Sequence, residues 1–138
     1  MRIRGTVKGI ATIGACLICG AFAYALTRSP VFDGDGYELY AGTSSAAVIV
    51  TDSPATLKLT LPVAGESARW EGGLAAELLA RFEAKVLFCE EVCGIRNYYC
   101  HSPQLGEGVL LNGVRVNLHI ATNGDRTAAG TPIIFGGF

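Results

Sequence analysis

The chain of 138 residues contains little charge, and its few basic residues form no run. It has eleven Lys and Arg side chains against twelve Asp and Glu. Three of the basic residues (Arg2, Arg4 and Lys8) lie within the first 27 positions, where no acidic residue occurs, so eight basic and twelve acidic residues follow, a net charge of about −4. Nucleic-acid affinity comes mostly from Lys and Arg that neutralise phosphates, so the sequence predicts no DNA or RNA partner. No glycine-rich segment leads into Lys-Ser or Lys-Thr, and no nucleotide or other cofactor is expected.

One long apolar run is present, and it lies at the N-terminus over residues 10–26. Basic residues are more numerous before this run than after it, which predicts a cytoplasmic N-terminus. We therefore expect residues 1–27 to be a membrane anchor or a signal segment. The motif Ala23-Tyr24-Ala25 has the small-x-small form of a cleavage site, so secretion after cleavage following Ala25 is the alternative to retention at the cell membrane. In both cases the rest of the chain is extracytoplasmic.

The remaining chain divides into a short linker and one domain. Residues 28–36 combine proline, glycine and aspartate, which is typical of a linker. Residues 37–138 have the length of a single domain. Alternation between apolar and polar residues over Leu57–Val63 predicts a half-buried strand with Lys58 on its solvent face. Similar patterns predict further strands at Tyr37–Ala41, Ala46–Thr51, Glu66–Trp70, Val86–Cys89, Ile95–His101 and Arg126–Phe135.

The spacing of the apolar residues changes once, after Gly72-Gly73, from the alternation of a strand to the period of a helix. Leu74, Leu78 and Phe82 recur at four-residue spacing among good helix formers, which predicts a helix over Gly73–Ala84. Asn112-Gly113 between apolar runs predicts a two-residue hairpin turn. The expected fold is therefore α+β: an N-terminal transmembrane or signal helix, then a two-layer domain with a mostly antiparallel sheet and one main helix.

The second half of the chain resembles a known family. Four segments resemble YwmB-type proteins, namely Leu87-Phe88-Cys89-Glu90-Glu91-Val92-Cys93-Gly94, Tyr98-Tyr99-Cys100-His101-Ser102-Pro103, Val116-Asn117-Leu118-His119-Ile120 and Gly130-Thr131-Pro132-Ile133-Ile134. These are small exported or membrane-anchored proteins of Gram-positive, mostly spore-forming bacteria, labelled as having a TATA-box-binding-protein-like fold. The resemblance covers residues 66 to 138. It implies no catalytic residue, and fold alone does not imply DNA binding.

Cysteine and histidine supply the candidates for chemistry. Zinc prefers ligand types that are present in Cys89, Cys93, Cys100, His101 and His119, although the spacing C-x3-C-x6-C-H over residues 89–101 lacks paired C-x2-C knuckles. Disulfides persist in oxidising compartments, and the spacing permits Cys89–Cys93 or Cys89–Cys100 but not Cys93–Cys100, whose residues lie at opposite ends of one strand. Buried free thiols that fill the core are the third interpretation. Cys100 with His119 is one pair that could form a nucleophile and base, but no third orienting group is visible.

Aromatic side chains favour a different function. One helix leaves much of the predicted sheet uncovered. Tyr98 and Tyr99 place one phenol on each face of their strand, and whichever of Trp70, Tyr98 and Tyr99 lie exposed on an uncovered face would form an interaction surface. The leading hypothesis is a non-catalytic, membrane-proximal interaction module whose partner is another envelope protein. The alternative is a cysteine-dependent enzyme or metal-binding domain that uses Cys89, Cys93, Cys100 and His119.

Overall fold

The computed structural model describes residues 2–27, 29–41, 48–60, 63–134 and 138. The fold of these residues is α+β, as predicted, and all strand pairs within them are antiparallel. The elements follow one another as α1 (Arg2–Thr27), β1 (Asp35–Tyr40), β2 (Val48–Thr51), α2 (Pro54–Thr60), β3 (Gly65–Glu71), α3 (Ala75–Arg81), β4 (Lys85–Val92), β5 (Ile95–His101), β6 (Val109–Leu111), β7 (Val114–Val116), β8 (Leu118–Thr122) and β9 (Arg126–Thr131).

Seven strands form one sheet in the order β2-β1-β3-β9-β8-β5-β4, so β2 and β4 are its edges. Strands β6 and β7 form a separate hairpin. One face of the sheet, called here the helical face, packs against α3 through Leu78 and through Phe82, which follows the helix. The other face is called the open face. The core lies on the helical face and includes buried Leu39, Ala68, Cys100, Leu118, Ile120 and Ala129.

Two tight turns connect β4 to β5 and β6 to β7 as hairpins. Asn112 and Gly113 take φ values of 48° and 77°, and Cys93 and Gly94 take 52° and 77°. Two consecutive positive φ angles are the signature of the type I′ turn, whose twist matches that of the flanking strands. The Asn112-Gly113 turn was predicted from sequence. The second turn is shorter than the predicted loop at Glu90–Gly94, because β4 continues to Val92.

Helix α3 confirms the four-residue apolar period but is shorter than predicted. The predicted range was Gly73–Ala84, whereas the helix spans Ala75–Arg81. At its start, the backbone N–H of Leu74 donates to the hydroxyl of Thr127 rather than to a helical carbonyl. After its end, Glu83 has a φ of 50°, a left-handed conformation that helical residues do not adopt.

The predicted strand over Leu57–Val63 is wrong, because residues 54–60 form helix α2. Pro54 occupies the first helical position, where its fixed φ and missing N–H cost nothing. The helical period reverses the predicted exposure: Lys58 is 7 % exposed, whereas Leu59 is 44 % exposed. Apolar alternation over so few residues does not distinguish a strand from a short helix. The described part of the domain therefore has two short helices where one was predicted, and Leu61 and Pro62 lie outside the described residues.

The segment assigned to a linker contacts the domain. Phe32 is 4 % exposed, and its ring packs edge-to-face on Trp70 and Phe82 at centroid distances of 5.8 and 5.6 Å. Asp33 accepts a hydrogen bond from Arg81 at 2.7 Å, and this bond is the main cause that lowers the pKa of Asp33. Residues on both sides of the predicted boundary at position 37 thus share one core.

Helix α1 covers the N-terminal apolar run, from which a transmembrane or signal helix was expected. Within the described residues, no helix has the combined length and apolarity required to cross a membrane.

Candidate functional site

Three stacked rings form a row across the open face. Phe88 of β4 stacks on Tyr99 of β5, and Tyr99 stacks on His119 of β8, with 4.6 Å between ring centroids in each case. The strand register causes this row, because Phe88 lies opposite Tyr99 and Tyr99 lies opposite His119. All three rings are half-buried. Burial raises the pKa of Tyr99, and the nearby charge of Glu90 raises it further.

His119 has a defined partner at each ring nitrogen. The backbone N–H of Ile134 donates to Nδ1 at 3.2 Å, so Nδ1 carries no proton. Nε2 lies 2.8 Å from Oδ1 of Asn97 and is therefore the N–H donor of the neutral ring. Burial disfavours the charged imidazolium and lowers the pKa of His119 to about 4. His119 is therefore a neutral, structurally engaged ring at neutral pH.

Ile133 and Ile134 lie over the open face beside this row, where the backbone N–H of Ile134 reaches His119. A Cβ atom added to Gly130 would lie 2.4 Å from the carbonyl oxygen of Ile133, so the chain passes directly over the end of β9. Phe138 lies against Arg126, with the guanidinium carbon 5.3 Å from the ring centroid.

Strand β4 is an edge strand of eight residues, six of which are exposed. An irregularity in the pairing between Val86 and Phe88 places Leu87 in a bulge, a common way to blunt an edge. Beyond the bulge, Glu90 and Glu91 bring two exposed carboxylates to the same edge. This end of the sheet therefore combines an unpaired backbone, aromatic surface and negative charge.

The cysteine and histidine candidates do not form one site. Cys100 lies opposite Leu118 on the helical face and is fully buried, whereas His119 projects from the open face. Burial raises the pKa of the Cys100 thiol to about 12. Cys89 and Cys93 are exposed free thiols on β4 and in its turn, and Cys100 is free as well. Among the described residues, no group of three or more His, Cys, Asp or Glu side chains could hold a metal ion.

The three aromatic residues predicted as an interaction surface lie on two faces. Trp70 and Tyr98 are half-buried and pack against the core on the helical face. Tyr99 belongs to the aromatic row on the open face, where Phe88 and His119 are its neighbours. The strand alternation of Tyr98 and Tyr99 predicted this separation, but the contribution of Phe88 and His119 depends on the strand register.

A polar cleft on the helical side was not predicted from the sequence. It has a volume of about 420 Å³ and lies between the end of α2, the loop Gly106–Val109 and the sheet residues Glu66 and Thr131. Its lining includes the ammonium-bearing Lys58, the carboxylates of Glu66 and Glu107, and backbone exposed at glycines.

Lys58 and Glu66 form a buried ion pair in the wall of this cleft, with side-chain exposures of 8 % and 4 %. Lys58 also donates to the carbonyl oxygen of Ser29 at 2.8 Å. Oε1 of Glu66 accepts from the hydroxyl of Tyr37 at 2.5 Å and from the backbone N–H of Val31. Burial and the Glu66 carboxylate raise the pKa of Tyr37, so its hydroxyl stays protonated. Lys58 was not identified as a cleft residue from the sequence, because the strand predicted over Leu57–Val63 placed its side chain on the solvent face.

No family model, curated protein or solved structure matches the chain.

Proposed function

We propose that this chain is a non-catalytic interaction module of the bacterial envelope, and that an extended segment of a partner protein adds as a strand to the edge of β4. The supporting observation is that this exposed edge lies directly beside the stacked row of Phe88, Tyr99 and His119. An added strand gains main-chain hydrogen bonds from the edge and side-chain contacts from the neighbouring face. The exposed carboxylate of Glu90 favours a partner segment that carries a basic residue, whereas Glu91 is paired with Arg96 of β5 at 3.5 Å.

The location in the envelope follows from the N-terminal sequence. Basic residues before the apolar run 10–26 orient it with the N-terminus in the cytoplasm. The module is then presented outside the cytoplasmic membrane, either attached through this segment or secreted after cleavage following Ala25. The resemblance to YwmB-type proteins stays a prediction. Opposite faces for Cys100 and His119 argue against the alternative of a cysteine-dependent enzyme or a shared metal site.

Site-specific photocrosslinking in the native host tests the partner surface. A photoreactive residue at Glu90 should crosslink a discrete envelope protein, while the same residue at Glu77, an exposed glutamate of α3 on the other side of the sheet, should not. Equal crosslinking at positions 77 and 90, or no crosslink at 90, would contradict the proposal.

Thiol labelling tests the location. Cys93 is exposed in the turn between β4 and β5. In a variant with Cys16→Ala and Cys19→Ala, a membrane-impermeant maleimide should label the chain on cells whose cytoplasmic membrane is intact. Labelling that appears only after this membrane is disrupted would place the domain in the cytoplasm. The mass of the recovered chain distinguishes retention from cleavage after Ala25.

A further inference from the structure

A buried ion pair in the wall of the polar cleft requires an explanation. Lys58 and Glu66 are 7 % and 3 % exposed. Removing both charges from water is costly, and apolar residues of similar size often give equal or greater stability. The two charged side chains lie in the wall of a cleft of about 420 Å³, a volume within the range of small-molecule sites.

The charge balance of the cleft indicates the class of ligand. The ammonium of Lys58 is matched by the carboxylate of Glu66. Glu107 lines the same cleft and is exposed, and it forms no ion pair within the described part of the chain. Among the described residues of the lining, the titratable side chains thus sum to one negative charge. A bound anion would add to this excess negative charge, whereas a bound cation would compensate it.

The remaining lining suits a polar ligand. Gly106 and Gly108 bring exposed and half-buried backbone to the cleft, and Gly65 of the lining is buried. Thr131 places a hydroxyl-bearing side chain in the lining, from the end of β9 opposite Glu66. These groups supply hydrogen-bond donors and acceptors beside the aliphatic residues of the described lining, which are Val63, Ala64, Val109 and Pro132.

We infer that this cleft binds a small hydroxylated amine, whose ammonium group pairs with Glu107 while its polar groups bond to the exposed backbone beside the Lys58–Glu66 pair. This site is separate from the β4 edge, and it does not depend on the proposed interaction function. The Lys58–Glu66 pair holds the wall in place and limits the ligand to a single positive charge.

Two probes that differ only in the amine provide the test. Glucosamine should shift the backbone amide resonances of Gly65, Gly108 and Thr131 in the full chain, and glucose should not. Ethanolamine should reproduce the shifts if the amine is the principal determinant. Phosphate serves as the anionic control.

Variants separate the cleft from general charge effects. Glu107→Gln should weaken glucosamine binding by about tenfold, the size expected for one charge-assisted hydrogen bond. Glu77→Gln removes an exposed glutamate elsewhere and should leave binding unchanged. Gly106→Leu should abolish binding, because Gly106 lines the cleft. It should preserve folding, because a Cβ atom at this position meets nothing within 4 Å. Equal shifts by glucose, shifts by phosphate, no shift by glucosamine, or no effect of Glu107→Gln would each overturn the inference.

Discussion

Acidification should destabilise the domain through His119. The ordinary pKa of histidine is near 6.5, and burial lowers that of His119 to about 4 in the folded chain. Between these two values the unfolded chain binds more protons, so the free energy of unfolding falls as the pH falls. Above the unfolded pKa both states are neutral, and His119 contributes no pH dependence there. The loss of this free energy of unfolding begins near pH 6.5 and is complete below about pH 4.

The size of the effect follows from the separation of the two pKa values. One unit corresponds to 1.36 kcal/mol, so the full shift amounts to about 3 kcal/mol, and about 2 kcal/mol of it should be lost by about pH 5. The hydrogen bonds of His119 explain why its protonation is unfavourable in the folded chain. Protonation at Nδ1 would remove the acceptor of the Ile134 N–H, and the charge would be buried between Tyr99 and the C-terminal segment.

Urea unfolding from pH 7.5 to pH 4.5 measures this dependence, and His119→Asn is the matched variant. Asparagine keeps an oxygen that can accept near the Nδ1 position but does not titrate. Because groups other than His119 contribute equally to the pH dependence of both chains, the informative quantity is the difference between the two pH profiles. NMR titration of the imidazole gives the folded pKa directly. Parallel profiles for both chains, or a His119 pKa near 6.5, would refute the reasoning.

Three further outcomes are expected. Lys58→Met should lower the free energy of unfolding by about 3 kcal/mol in urea, because Glu66 is left as a buried charge, and the double variant with Glu66→Gln should recover much of the loss, because the amide removes the charge and keeps an oxygen that accepts from Tyr37 and Val31. Gly113→Ala should lower the free energy of unfolding by about 1 kcal/mol because Gly113 has a φ of 77°, whereas Gly106→Ala should be nearly neutral. Both sites have open space around a Cβ atom, so equal shifts of the melting temperature would contradict the assigned turn. Of the three free cysteines after residue 27, Cys89 and Cys93 should react quickly with a thiol reagent, and Cys100 should react only on unfolding; rapid reaction at all three would show that Cys100 is accessible.

Local sequence patterns predicted the elements whose causes are local. Strand β5 lies at the predicted range Ile95–His101, where β-branched and aromatic residues favour an extended chain. The Asn112-Gly113 turn follows from two residues that tolerate positive φ. The apolar period of α3 predicted which of its residues enter the core, and Leu78 and Phe82 are both buried there. These features need only neighbours within a few positions.

The candidate sites depended on contacts between distant positions. Lys58 appeared solvent-exposed by alternation, and its burial became apparent only where α2 meets Glu66 and Ser29. The sequence already separated Tyr98 from Tyr99, because neighbours on a strand point to opposite faces. Which residue then stacks on Tyr99 depends on the register of β5 against β4 and β8.

The sequence by itself determined the α+β class, the antiparallel hairpins and the apolar residues of α3, because backbone preference and hydrophobic period act over short distances. Only the tertiary structure decided that Cys100 and His119 lie on opposite faces, that Phe88, Tyr99 and His119 form one row, and that Lys58 and Glu66 line a cleft. A shift of one residue in strand register moves every side chain to the other face, and no local pattern fixes that register across distant strands.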